Sequence, residues 1–257
     1  MNRIEQLLQQ KPSGIFSVYF TAGFPTYDST CEIIRELAAH STDLIEIGIP
    51  FSDPMADGLV IQQSSSVALE NGMSLRKLFD QLEGIRSDVT IPLIMMGYLN
   101  PIMQMGIVEF CKRCAEVGVD GVIIPDLPFN DYLANYKPIA DQYGINFIML
   151  ITPHTSDERI RLIDQHTSGF IYMVSSASTT GAQSSFGGEK QDYFRRIDAM
   201  NLKNPRLIGF GISNKATLDA AQQNSSGAII GSAFIQCLSQ TQNVKAGVEL
   251  LFDKIKN

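Results

Sequence analysis

The sequence predicts a (βα)8 barrel. Three observations carry this: short apolar runs recur along the chain, stretches of three-to-four-residue periodicity separate them, and eight such units fill 257 residues. Alternating strand and helix patterns imply a parallel sheet, because parallel neighbours need a crossover that a helix supplies. Met1 to Gln10 has a polar-amphipathic pattern and adds one helix ahead of the first strand. The predicted strands are Ile15 to Phe20, Leu44 to Ile49, Ile91 to Met96, Val119 to Ile124, Asn146 to Ile151, Gly169 to Val174, Arg206 to Gly209 and Gly227 to Ile230. Helical periodicity is clearest over Ser29 to Ala39, Met105 to Val117, Asp131 to Tyr143 and Ser156 to Gln165, and Val244 to Ile255 reads as the last amphipathic helix. An open doubly wound sheet is the alternative, but no GxGxxG opens a helix after the first strand. No linker or low-complexity tract interrupts the alternation, so residues 1–257 read as a single domain.

Composition narrows the function. With 44% hydrophobic residues, 18% charged residues and a net charge of −7, the chain reads as an ordinary globular protein. The absence of any basic run argues against nucleic acid or an acidic membrane as partner. No apolar stretch reaches the roughly 20 residues of a membrane span, and a cytoplasmic location is the default. Cys111 and Cys114 form a CxxC, but it lies in a helical pattern with no second pair or nearby histidine, so both read as packed thiols.

The segment from Asp43 to Gly58, DLIEIGIPFSDPMADG, is the most informative. At the two-residue period of a strand, Leu44, Glu46 and Gly48 share one face and Ile45, Ile47 and Ile49 the other. The isoleucine face suits packing against helices, which aims Glu46 into a sheet interior or barrel lumen near the C-terminal end of the strand, where α/β enzymes keep their chemistry. Desolvation there raises a carboxyl pKa toward neutrality, as a general acid/base requires. The alternative is a structural glutamate held by backbone donors. In the following loop, Asp53 before Pro54 reads either as a turn residue or as part of a site, and Asp57 before Gly58 either as a helix cap or as a second carboxylate.

Two glycine turns follow the last two strands: Gly209 to Ser213, and Gly231-Ser232 before a short apolar helix. In barrels this is where phosphate commonly binds, since glycine lets the backbone approach an anion and a helix N-terminus offers free N–H groups. The loop from Ser175 to Gly188 is rich in Ser, Thr and Gly and reads as a lid. No lysine falls in a predicted strand, and His40, His154 and His166 lack metal-binding spacing, which argues against Schiff-base and metal aldolases and predicts no metal.

Together, YFTAGFP at Tyr19 to Pro25, LIEIGIPFSDP with ADG after it, IIPDLP at Ile123 to Pro128, GFGIS and GS resemble the tryptophan synthase alpha subunit over nearly the whole chain. The resemblance implies a lyase that cleaves indole-3-glycerol phosphate to indole and glyceraldehyde 3-phosphate. It implies no cofactor in this chain, and a beta subunit carrying pyridoxal phosphate as partner in an alpha2beta2 heterotetramer. By the same resemblance Glu46 is the general acid/base and Asp57 the carboxylate that holds the indole N–H. Tyr19 and Tyr172 are pocket walls, and Gly181, Gly211, Gly231 and Ser232 are phosphate-binding positions. Thr180 is the lid residue that meets Asp57 on closure, while Pro50, Asp53 and Pro54 are beta-subunit contacts. Two departures stand out: Leu59 occupies a position usually held by proline, and Ser176 and Ser178 lie where the family often carries Arg and GVTG. Rival readings are another phosphate-binding barrel enzyme and a noncatalytic regulatory subunit.

Overall fold

The computed structural model describes residues 2–174, 188–209 and 211–256. Its strands are β1 (Ile15–Thr21), β2 (Leu44–Gly48), β3 (Leu93–Met96), β4 (Gly121–Ile123), β5 (Asn146–Phe147), β6 (Met149–Ile151), β7 (Ile171–Val174), β8 (Arg206–Gly209) and β9 (Gly227–Ile230). Among the described residues the helices are α1 (Arg3–Gln10), α2 (Ser29–Ala39), α3 (Leu59–Glu70), α4 (Leu75–Leu82), α5 (Leu99–Met105), α6 (Ile107–Val117), α7 (Phe129–Asp131), α8 (Lys137–Tyr143), α9 (Asp157–His166), α10 (Gly188–Ala199), α11 (Lys215–Gln223), α12 (Ser232–Gln240) and α13 (Val244–Lys256).

All strand pairings are parallel, and the strands run β5-β4-β3-β2-β1-β9-β8-β7-β6 around a (βα)8 barrel. The predicted fifth strand is the one that differs. It splits around Ile148 into β5, which pairs with β4, and β6, which pairs with β7. Barrel closure requires a staggered register, so one strand serves two neighbours with different halves. Where the ladder thins, side chains replace it: Thr167 Oγ1 donates to the Phe147 carbonyl at 2.8 Å and Ser168 Oγ to Asn146 Oδ1 at 3.0 Å.

Alternation along the strands sorts the core into two layers. Ile15, Leu44, Ile94, Ile148, Leu207 and Ile229 fill the lumen, while Val18, Ile45, Ile47, Met95 and Val122 pack outward against the helices. The N-terminal helix stoppers one end. Ile4 joins the lumenal cluster, and Asn2 caps α1 while donating to the Asp120 and Gly144 carbonyls at 2.7 and 3.0 Å. Buried Asp120 ties this end together, accepting from Arg3 at 3.0 Å, Arg86 at 2.6 Å and the Leu93 N–H at 3.0 Å. The opposite end, at the strand C-termini, remains for a ligand. Cys111 and Cys114 are free and buried in α6.

Candidate active site

Glu46 stands in the lumen as its alternation predicts, in register with Tyr19 on β1 and Ile94 on β3. It is 0% exposed. Its Oε1 accepts a hydrogen bond from Ser17 Oγ at 3.0 Å, whereas Oε2 is buried with no partner among the described residues. Burial pushes the carboxyl up to about 8, with the Ser17 hydrogen bond pulling the other way. A buried polar atom without a partner is costly, so Oε2 is a point where structure has yielded stability to something else. Among the described residues no backbone donor holds this side chain.

Asp57, half-buried in the loop after β2, is no helix cap. The N-cap of α3 is Gly58, and α3 starts at Leu59 without any side-chain cap. Asp57 Oδ2 instead accepts from the hydroxyl of Tyr98 at 3.0 Å, and that hydroxyl accepts the Ala56 N–H at 2.9 Å. Burial raises the Asp57 carboxyl to about 6, opposed by the Tyr98 hydrogen bond. The Tyr98 ring stacks on Phe51, with centroids 5.2 Å apart. One phenol thus pins the loop at three points. Sequence reasoning passed over both Tyr98 and Phe51, although Tyr98 immediately follows Gly97 at the C-terminal end of β3, a position that faces the ligand end of a barrel.

Tyr19 and Tyr172 line the same space. Their rings fit because glycine faces each hydroxyl: a Cβ at Gly48 would lie 2.2 Å from the Tyr19 hydroxyl, and one at Gly209 would lie 2.1 Å from that of Tyr172. Burial, then the negative field of Asp57 and Glu46, pushes the Tyr19 phenol far above its ordinary value; burial and the same carboxylates, Glu46 first, do so for Tyr172. Both phenols therefore stay neutral across the working pH range, and the two carboxylates share them as neighbours. Tyr19, Phe51, Asp57, Met96, Tyr98 and Pro125 bound a narrow cleft of about 10 Å³. Glu46 does not reach its wall in this state.

The two glycine turns emerge side by side, because β8 and β9 are adjacent and parallel. Gly211 has φ +82°, a conformation that favours glycine, and Gly231 is the N-cap of α12, with Ser232 as its first residue and no side chain competing for the first N–H groups. Gly231 also packs on Tyr19, which places the turn against the pocket wall. Thr180 and Gly181, with the predicted lid, fall outside the described residues. Pro50 is buried, Asp53 exposed and Pro54 half-buried. Beside them Met55 and Leu59 are 87% and 74% exposed, an apolar rim on the loop. Among the described residues no group of three or more His, Cys, Asp or Glu side chains is placed to hold a metal ion, and no helix is long and apolar enough to cross a membrane.

Comparison with known proteins identifies the family and bears out the fold. The family model described as tryptophan synthase alpha chain matches residues 5–255. A tryptophan synthase alpha chain from Parabacteroides distasonis is 62% identical over all of both chains, and one from Flavobacterium johnsoniae is 57% identical over 95% of this chain and 96% of its own. Among solved structures, the tryptophan synthase alpha chain of Legionella pneumophila superposes with a TM-score of 0.88 at 31% identity, covering 100% of this chain and 98% of that one. A chain of the tryptophan synthase complex from Pyrococcus furiosus gives 0.85 at 33% identity, covering 95% and 97%.

Proposed function

The chain belongs to the tryptophan synthase alpha chain family, a lyase that cleaves indole-3-glycerol phosphate to indole and glyceraldehyde 3-phosphate in tryptophan biosynthesis, and on that premise we propose which of its residues do the chemistry. The observation that carries the assignment is the buried, unpartnered Oε2 of Glu46, on a carboxyl held protonated near neutrality.

Glu46 starts as the acid. Its Oε2 proton goes to C3 of the indole, and the positive charge this creates spreads to the ring N–H, which Asp57 accepts as a charged hydrogen bond. The Glu46 carboxylate then takes the proton of the hydroxyl borne by the glycerol carbon that is bonded to C3. As that oxygen becomes the aldehyde, the carbon–carbon bond breaks and its electron pair returns to the indole ring. Glu46 ends protonated, ready for the next turnover. Neither a lysine nor a metal is needed, because the protonated ring is its own electron sink.

Tyr19 and Tyr172 hold the ring. Gly211, Gly231 and Ser232 take the phosphate, with the α12 N-terminus supplying N–H groups. Gly181 and Thr180 complete the phosphate site and the lid on the resemblance alone. The loop carrying Pro50, Asp53 and Pro54, with its apolar rim at Met55 and Leu59, docks a beta subunit that carries pyridoxal phosphate, in an alpha2beta2 heterotetramer in the cytoplasm. Indole release from indole-3-glycerol phosphate, measured with and without a beta subunit, tests this reading. Cleavage is expected alone and faster in the complex. General acid/base groups contribute ~10²–10⁴-fold, so Glu46→Gln retaining more than about a tenth of the wild-type rate removes Glu46 as the catalyst.

A further inference from the structure

Among the described residues, one hydroxyl bonds Glu46 directly, and the assignments above leave it unused. Ser17 lies on β1 two residues before Tyr19, so it shares the lumenal face, and it is 0% exposed. Its cross-strand partners are Leu44 on β2 and Ile229 on β9, both apolar and both in the lumenal cluster. A serine between a leucine and an isoleucine has few polar atoms to turn to. Its Oγ donates diagonally across the strand pair to Glu46 Oε1 at 3.0 Å.

Given the role of Glu46 as acid/base, on which this step rests, we propose that Ser17 is a positioning residue that fixes which carboxylate oxygen carries the catalytic proton. A proton on Oε1 would force Ser17 to accept, leaving its own O–H to donate into apolar surroundings, which is unfavourable. With the proton on Oε2 the Ser17 bond persists unchanged through both protonation states. Every turnover then gives and takes its proton at the one oxygen that has no other partner. The same bond stops the carboxyl from rotating about its last torsion, which is otherwise broad, and near-attack geometry is sensitive to displacements of about an ångström. The ionisable groups facing Glu46 are the phenols of Tyr19 on β1 and Tyr172 on β7, with Asp57 reaching the same phenols from its loop; β3 contributes apolar Ile94 and Met96. The phenols stay neutral, so loss of the Ser17 bond is read directly in the titration of Glu46.

The test compares Ser17→Ala, Ser17→Cys and Glu46→Gln in the full chain with its beta subunit, over a pH series. Ser17→Ala should lower kcat about tenfold with KM within about twofold, and move the basic limb of kcat/KM upward from near 8 by about one pH unit, since the charged form has lost its donor. Ser17→Cys restores volume but donates weakly, so it should follow the alanine variant. Wild-type kcat and an unmoved limb in Ser17→Ala, with Glu46→Gln inactive, overturn the role of Ser17 and leave Glu46 in place. Full recovery in Ser17→Cys shows that Ser17 only fills space and equally overturns it. An active Glu46→Gln removes the premise itself.

Discussion

Tyr98→Phe deletes one oxygen and leaves the ring stacked on Phe51, so it isolates the bond to Asp57. A hydrogen bond to a buried charge contributes ~1.5–3 kcal/mol; Asp57 is only half-buried, which brings the expectation down to ~1.4 kcal/mol, equivalent to about one pKa unit. The bond favours the charged carboxylate, so its loss raises the Asp57 pKa from about 6 to about 7. In the proposed mechanism Asp57 must be charged to stabilise the protonated indole, and its charged fraction at pH 7 falls from about nine-tenths to about one half. At pH 6 it falls from about one half to about one tenth. The variant should therefore lose about twofold in kcat/KM at pH 7 and about fivefold at pH 6, beyond any constant loss from freeing the Ala56 N–H. The assay is initial indole release from indole-3-glycerol phosphate between pH 5.5 and 8.5. The substrate phosphate also titrates near pH ~6, so the ratio of the two proteins on the same substrate is the quantity that reads Asp57. A ratio that stays constant across that range refutes the coupling of Tyr98 to Asp57.

Other regions give independent outcomes. Glu46 has a folded pKa raised above its unfolded value, so the folded state holds the extra proton between about 4.5 and about 8 and stability is lost as pH rises through that window. Glu46→Gln should gain thermal stability relative to wild type by a few kcal/mol between pH 5 and pH 9, and a difference independent of pH contradicts the raised value. Gly211→Asp places a carboxylate at a positive-φ turn beside the proposed phosphate, and KM for indole-3-glycerol phosphate should rise by at least about tenfold with indole binding unchanged; an unaltered KM moves the phosphate elsewhere. Asp120→Asn breaks the buried pairing with Arg86 and the latch to Arg3 at the closed end, and should cost about 3 kcal/mol in urea unfolding with KM unchanged; a loss under about 1 kcal/mol would show that α1 is held by apolar packing instead.

The sequence is most legible where the physics is local. Strand alternation alone aimed Glu46 at the lumen and Ile45 and Ile47 at the helices, and α2 spans the predicted Ser29–Ala39. The break at Ile148 was invisible, since Asn146 to Ile151 reads as one apolar run and its division arises from ring closure, a property of the whole sheet. Contacts between distant segments were equally hidden. Tyr98 meets Asp57 across 41 positions, so nothing in the ADG motif told a cap from a tethered carboxylate. The seating of Tyr19 against Gly48 and of Tyr172 against Gly209 depends on strand register, which periodicity does not supply. Ser17 was readable in part: the alternation that places Tyr19 in the lumen places Ser17 there too, and a small hydroxyl two residues before Tyr19 on that face was the available signal.

At the centre of the proposed mechanism is a Glu46 whose burial in the barrel raises its carboxyl to about 8, so that it would carry its proton at neutral pH. Infrared difference spectroscopy of wild type minus Glu46→Gln, with isotope-labelled glutamate and a pH titration, observes that proton directly. A protonated-carboxyl C=O band should be present at pH 7 and give way to the carboxylate bands as pH passes through about 8. A carboxylate signature already complete at pH 6 would contradict Glu46 as the resting acid.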